Sequence, residues 1–147
     1  MSKIILNTKV FETLKKRGLI KEQNGSLNKF EEVISKLMHS RTQTHIFHLQ
    51  SDSFSQHKAL DDYYDDIVDL IDDLVESYQG ENEIIKSYKN YQLQNYENNE
   101  QVINFLQNLS DDVNELRNDL DGSFLVGRLD EVVELINSTI YKLKNLK

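Results

Sequence analysis

The stretch from residue 57 to residue 80, HKALDDYYDDIVDLIDDLVESYQG, decides the fold class. Its apolar residues recur every three or four positions and predict one helix from His57 to Gln79. Gly80 is placed to end this helix as a C-terminal cap. The other side of the helix is acidic, so the pattern predicts one buried face and one solvated face. The predicted buried stripe consists of Leu60, Tyr64, Ile67, Ile71, Leu74 and Tyr78.

Three further stretches show the same periodicity, over residues 27–49, 100–120 and 123–146. Two connections separate the first three helices: a polar one at 50–56, and a longer one at 81–99 in which apolar residues indicate a short helix. We therefore predict an all-α fold, a four-helix bundle with one crossover between the second and third helices. The predicted inward residues of the three stretches are Leu27, Phe30, Val33, Ile34, Leu37 and Met38; Val102, Phe105, Leu106, Leu109, Val113, Leu116 and Leu120; and Leu125, Leu129, Val132, Val133, Ile136, Ile140 and Leu143.

Composition supports long helices and narrows the chemistry. The 147 residues include no proline and only five glycines, so helix breakers are scarce. The absence of cysteine excludes disulfides, zinc–thiolate sites and a cysteine nucleophile. Seventeen basic and 25 acidic residues give a net charge of −8, which permits cation binding. We predict an N-terminal arm at 1–25, closed by the turn dipeptide Asn24-Gly25, and one bundle domain at 26–147.

The second half of the first predicted helix places polar residues where its apolar stripe should continue. Arg41, His45 and His48 follow Leu37 at helical spacing on the same face. Buried polar groups need hydrogen-bond partners or a ligand. Two alternatives follow: these residues are solvated or hydrogen-bonded beyond Met38, or the histidines bind a metal ion.

The predicted helix at 57–79 carries a matching set of ligand-type residues beside its apolar stripe. His57 and Asp61 lie one turn apart, and so do Asp72 and Glu76. Roughly 22 Å separates the two pairs at about 1.5 Å of rise per residue, so one chain cannot close both around one ion. Two antiparallel copies of this helix, related by a twofold axis, can build two such sites. Mixed imidazole and carboxylate ligands suit iron, manganese or zinc.

The spacing of these residues resembles that of a known family. His45, His57, Asp61, Asp72 and Glu76 are separated by twelve, four, eleven and four residues, as in the ferroxidase segment of the Dps proteins, the ferritin-like mini-ferritins of starved bacteria. The resemblance covers about residues 27–80 well and the last helix more loosely. The family's usual Trp-Asn after the first histidine and its glycine-bearing turn are absent; the residues here are Ile46, Phe47 and His48, and Ser51, Asp52 and Ser53.

The resemblance implies a ferritin-like four-helix subunit with a short helix in the second connection. Such subunits assemble as a hollow dodecamer, oxidise Fe(II) at sites between subunits with hydrogen peroxide as the usual oxidant, and store the ferric mineral inside. On this basis His45, His57 and Asp61 come from one subunit, while Asp72 and Glu76 come from its partner. Iron is the expected metal, with zinc or manganese possible, and affinity should fall below about pH 6 because a metal ligand must be a neutral imidazole. The expected auxiliary residues are His48 and Asp65.

A second hypothesis is a helical structural or interaction protein with a vestigial metal site, in which the histidines are packed and the acids solvated. Basic residues near both ends are the kind that DNA-binding members of the family use, but the net charge of −8 disfavours DNA as a partner. No apolar run is long enough to span a bilayer. The first residues lack the apolar segment of a secretory signal, so we expect a cytoplasmic protein. The twofold pairing of the predicted helix at 57–79 and the resemblance lead us to expect a homo-oligomer.

Overall fold

A computed structural model describes residues 29–147 together with Thr13, Leu14, Lys16 and Arg17. Its four long helices are α1 (Lys29–Gln50), α2 (Phe54–Glu81), α3 (Asn99–Asp119) and α4 (Leu125–Asn145). The described residues contain no strand, so the predicted all-α four-helix bundle is confirmed. None of these helices combines the length and apolar character that crossing a membrane requires.

The helices follow an up, down, down, up order around one core. The main packing pairs are α1 with α2, α2 with α4, α3 with α4 and α1 with α3. Lys36 near the start of α1 bonds Asp112 in the second half of α3, so these two helices are antiparallel. Because α2 is antiparallel to α1 as well, α2 and α3 run parallel and need a connection that spans the bundle. One long crossover is the connectivity found in ferritin-like bundles, and it was predicted from the sequence.

The connection at 82–98 contains no helix, so the predicted short helix there is wrong. The chain instead runs extended along α1, where the backbone N–H of Lys89 bonds Ser35 and that of Tyr96 bonds Gln50. Between these contacts the connection has only seven residues to follow roughly 22 Å of α1 at about 1.5 Å per helical residue. A helix of that length would cover about half the distance, whereas an extended chain reaches about 3.3 Å per residue. The distance therefore dictates the extended form.

Side chains of α1 replace the hydrogen bonds that a helix would have supplied to this connection. Gln43, which is fully buried, accepts from the backbone N–H of Gln94 at 2.7 Å and donates to its carbonyl at 2.8 Å. Gln50 accepts from the N–H of Tyr96 at 2.7 Å. A buried polar residue on α1 thus satisfies the backbone of a segment that has no secondary structure of its own.

The core consists largely of the predicted apolar stripes, with corrections at four positions. Tyr63 rather than Tyr64 is fully buried on α2, where its hydroxyl lies 2.8 Å from that of Ser40. Met38 is 40% exposed. The remaining two predicted core residues that are only partly buried are Phe105 and Val133.

The ends of α2 lie further out than predicted. Ser53 is the N-cap, and its hydroxyl accepts from the backbone N–H of Gln56, so the connection before α2 has only three residues. Gly80 does not end the helix, which continues to Glu81, and Asn82 is the C-cap. Gly122 does punctuate the α3–α4 turn, with φ of +83°.

Most of the predicted N-terminal arm lies outside the described residues, and so does Leu27, the first residue of the first predicted helix. Leu14 is 3% exposed and belongs to the hydrophobic core of the bundle.

Candidate metal centre on the outer face of α1 and α2

The three ligands that we predict to come from one subunit, His45, His57 and Asp61, lie where the end of α1 meets the start of α2. His45 is half-buried on α1, while His57 is exposed and Asp61 half-buried on α2. Ring contacts link them: His45 lies 6.0 Å from His48, and His48 lies 3.6 Å from His57, measured between ring centroids. The structure therefore brings these residues to one surface.

His48 and His57 hold each other through their backbones. Nδ1 of His57 lies 3.0 Å from the carbonyl oxygen of His48, and Nδ1 of His48 lies 2.7 Å from that of His57. A carbonyl only accepts, so each Nδ1 carries a proton, and in the neutral imidazole each Nε2 is then the acceptor nitrogen. The His48 carbonyl belongs to the last turn of α1, where carbonyls lack helical partners, so His57 also caps this helix.

This arrangement is the one expected of a histidine that binds metal through Nε2. Metal-binding histidines commonly donate their other ring N–H to a carbonyl, which fixes the tautomer and the ring plane. His57 meets that condition and is exposed, so its Nε2 is accessible. His48 meets it too but is only 7% exposed.

Asp61 is held in its charged form by two neighbours. The Tyr64 hydroxyl donates to Oδ1 at 2.7 Å, and the Lys58 ammonium donates to Oδ2 at 3.2 Å. The bond from Tyr64, followed by that from Lys58, holds the pKa of the Asp61 carboxyl below its usual value. Asp61 is therefore a carboxylate, the form that binds cations, well into the acidic range.

Asp72 and Glu76 lie further along α2, and both are exposed. Neither forms a hydrogen bond or ion pair within the part of the chain that the structure describes. Asp72 borders a hollow of about 290 Å³ between α1 and α2, whose other lining residues are Met38, Arg41, Val68 and Ile71. Eleven residues separate Asp72 from Asp61, or roughly 16 Å along the helix.

Among the residues described, no three His, Cys, Asp or Glu side chains are close enough to hold a metal ion. One chain therefore presents His45, His57 and Asp61 on one surface without closing a site around them. The predicted contribution of Asp72 and Glu76 from a partner stays a prediction.

The predicted continuation of the α1 stripe through Arg41, His45 and His48 is only partly correct. His48 is buried, His45 is half-buried and Arg41 is exposed. The core side of this half of α1 is formed instead by Ser40, Gln43, Thr44 and Phe47. Polar residues therefore line the core here, because they bond the crossover and one another.

Comparison with known proteins places the chain in a family. Residues 48–143, more than half of the chain, match a family of unknown function (DUF5856). The chain belongs to this family. No curated protein and no solved structure matches it.

The DUF5856 segment takes in α2, α3 and most of α4. It contains four of the five predicted ligands, His57, Asp61, Asp72 and Glu76, together with His48. His45 lies just before the matched segment.

Sequence reasoning missed Tyr64, which contacts three residues of this surface. Its ring stacks on His45 with centroids 4.3 Å apart, it meets the His48 ring edge to face, and its hydroxyl bonds Asp61. The spacing held a signal for it, since Tyr64 lies three residues after Asp61 and seven after His57, on the same face of α2. Its assignment to the core stripe concealed that signal.

Proposed function

We propose that this protein oxidises and stores iron, with Fe(II) bound at sites shared between two copies of the chain. The observation that carries the proposal is the surface at the start of α2. There the Nδ1 of His57 is committed to the His48 carbonyl, which leaves its Nε2 for a metal, one turn from the ionised carboxylate of Asp61.

A twofold axis completes the ligand set. An antiparallel pair of α2 helices, centred between Asp66 and Ile67, sets His57 against Glu76 and Asp61 against Asp72. Each end of the pair then holds His57 and Asp61 from one chain, with His45 beside them on α1, and two carboxylates from the other chain. The proposal therefore assigns the ligands that one chain lacks to the partner subunit.

The middle of the same α2 face suits a contact between copies. Val68 is 37% exposed and Met38 on α1 is 40% exposed, and both line the hollow between these helices. The twofold pairing sets Val68 against Asp65 of the partner subunit. Arg41, which also lines the hollow, adds a positive charge beside Asp72. An apolar centre with charged residues around it is the usual composition of a protein interface.

The donor set fits iron as a substrate. Imidazole nitrogen and carboxylate oxygen are ligands that iron, manganese and zinc share. In the oxidation, two Fe(II) ions each give one electron to hydrogen peroxide, and the O–O bond breaks to yield two hydroxide ions. These ions bind the ferric product or take up the protons that its hydrolysis releases. The chain binds and orients the ions, and the resemblance to Dps proteins supports a hollow assembly that stores the product.

The test measures mass and iron oxidation together. Light scattering should give an oligomer, and Fe(II) with hydrogen peroxide should produce the amber absorbance of ferric mineral. Asp72→Asn combined with Glu76→Gln should abolish rapid oxidation without unfolding the bundle. The control, Asp66→Asn with Asp69→Asn, removes the same charge from exposed acids of α2 that have no ion pair in the described structure. A monomer that oxidises no iron would contradict the proposal.

A second candidate is a helical structural or interaction protein with a vestigial site. The His48–His57 pair favours this second candidate in one respect, since His57 stabilises the end of α1 by capping it, and that role needs no metal. In that case iron oxidation is absent, and His57→Ala lowers only the stability of the protein.

A further inference from the structure

Tyr64 contacts two of the predicted iron ligands at the same time. Its hydroxyl donates to Asp61 Oδ1 at 2.7 Å, and its ring stacks on the imidazole of His45 with an interplanar angle of 23°. The His48 ring meets the same aromatic ring edge to face, with centroids 5.2 Å apart. Tyr64 therefore joins α1 to α2 at the surface where metal would bind.

The hydroxyl contact orients Asp61 and still leaves lone pairs of its carboxylate free to bind a metal. A carboxylate has about four lone-pair directions, and Tyr64 takes one of the two on Oδ1. The second contact, to the ammonium of Lys58, comes from a side chain that is 58% exposed, so an incoming cation can displace it. Tyr64 is thus the more durable of the two restraints on this carboxylate.

The ring contact orients His45 by a different means. Neither nitrogen of this imidazole forms a hydrogen bond with another described residue, so both remain available to a metal. Such a ring would rotate freely about its side-chain bonds if nothing packed on it. Stacking on Tyr64 limits that rotation, and ordering a ligand before binding reduces the entropy lost when the metal arrives.

We propose that Tyr64 is a positioning residue of the metal site, which fixes the Asp61 carboxylate by a hydrogen bond and the His45 imidazole by stacking. This inference rests on the proposed function, because it concerns the ligands of that site. Tyr64 does not touch the metal itself.

The experiment measures Zn(II) affinity by calorimetric titration and the Co(II) absorption spectrum, neither of which needs turnover. Tyr64→Phe keeps the stacking and removes the hydrogen bond, so we expect about tenfold weaker Zn(II) binding. Tyr64→Ala removes both contacts, and we expect a loss of about 100-fold. The Co(II) bands should shift in Tyr64→Phe, because a carboxylate released from the hydroxyl binds in a different orientation.

Tyr63→Phe is the matched control, since this neighbouring tyrosine loses a hydroxyl in the core instead. It should lower thermal stability and leave Zn(II) affinity and the Co(II) bands unchanged. Asp61→Asn tests whether the metal binds at this site, and it should abolish binding. Unchanged affinity and bands in Tyr64→Phe, with binding still lost in Asp61→Asn, overturn the role of Tyr64 but leave the proposed site intact. If the unaltered protein binds neither metal, the proposed function fails and Tyr64 loses this role with it.

Discussion

The imidazole rings of His48 and His57 stack with centroids 3.6 Å apart, and each ring donates a hydrogen bond to the other residue's carbonyl. The pair joins the last turn of α1 to the first turn of α2 across a three-residue turn. One arrangement thus caps a helix, fixes two tautomers and presents the Nε2 of an exposed histidine.

The first prediction concerns the contribution of this pair to stability without metal. His48→Ala removes a buried ring and one of the two hydrogen bonds, so the free energy of unfolding should fall by about 2 kcal/mol. Urea denaturation in the presence of a chelator measures it. Lys58→Ala, which removes only exposed ion pairs with Asp61 and Asp62 beside the same turn, should change stability much less. Equal effects of the two substitutions would mean that the pair is not a structural element.

The second prediction concerns alkaline pH. Burial raises the pKa of Tyr63 far above its ordinary value of 10.0. The unfolded chain therefore loses this proton at lower pH than the folded protein does. The contribution of neutral Tyr63 to the free energy of unfolding is complete below about pH 10 and is lost as the pH rises. The urea midpoint should fall more steeply above about pH 10 in the unaltered protein than in Tyr63→Phe. Tyr141→Phe, at an exposed position, should leave that slope as it is.

The Ser40–Tyr63 bond also has a definite direction. The Ser40 hydroxyl donates to the Leu37 carbonyl at 2.7 Å, and a hydroxyl has one proton to give. Tyr63 is therefore the donor to Ser40. Tyr63→Phe leaves no donor without a partner, and its cost at neutral pH should be only about 1 kcal/mol.

The third prediction concerns metal and acid. A ligand that binds only the folded state adds about 2.7 kcal/mol when its concentration is 100 times the dissociation constant. Zn(II) should therefore raise the melting temperature, and a chelator should reverse the rise. The increment should shrink as the solution is acidified, because protons compete with the metal for its imidazole ligands. An increment that persists in the Asp72→Asn, Glu76→Gln protein would place the bound metal elsewhere.

The fourth prediction concerns the crossover. Gln43→Leu preserves the size of a fully buried side chain but leaves the N–H and carbonyl of Gln94 without their partners. Stability should fall by about 2 kcal/mol, and amide exchange near Gln94 should accelerate. Gln107→Leu is the control, since that exposed side chain makes one long bond to Asp111 on its own helix. If exchange near Gln94 is unchanged, other contacts hold the crossover.

The fold was largely predictable because it depends on helical periodicity alone. Four amphipathic stretches and one long connection are visible in the sequence, and the structure confirms both. The choice between Tyr63 and Tyr64 was not visible, since each lies within about 60° of Leu60 on the helix. The packing of α4 and α1 on either side of α2 decides which one is buried.

The crossover shows a second limit of sequence reasoning. Ile84, Ile85 and Tyr88 have helical spacing, and Ile85 is indeed buried, but the segment is extended. The deciding quantity is the length of α1 that the chain must follow, which is known only once the helices are placed.

The candidate site was predictable in its spacing but not in its contacts. The intervals from His45 to Glu76 can be counted in the sequence. The reciprocal bonds of His48 and His57 cannot, because they depend on how α1 and α2 are rotated about their axes. The predicted partner contribution of Asp72 and Glu76 concerns a second chain and stays a prediction.

The last prediction tests the twofold register directly. In the proposed pair Val68 lies against Asp65 of the partner subunit, so Val68→Asp sets like charges together twice. Such contacts cost several kcal/mol, so the dissociation constant of the oligomer should rise by more than about 100-fold. The helical content should be unchanged. Adding Asp65→Lys to Val68→Asp makes both contacts attractive and should restore the oligomer.

Ile84→Asp controls for the added charge, because Ile84 is 68% exposed and lies in the crossover, away from α2. It should leave the mass unchanged. Light scattering across a dilution series separates the cases. Rescue by the paired charges supports an antiparallel pair centred between Asp66 and Ile67, in which residues 65 and 68 of different chains meet. Dissociation without rescue would keep an interface at this face but contradict the register, and with it the pairing of Asp61 with Asp72 of the partner subunit.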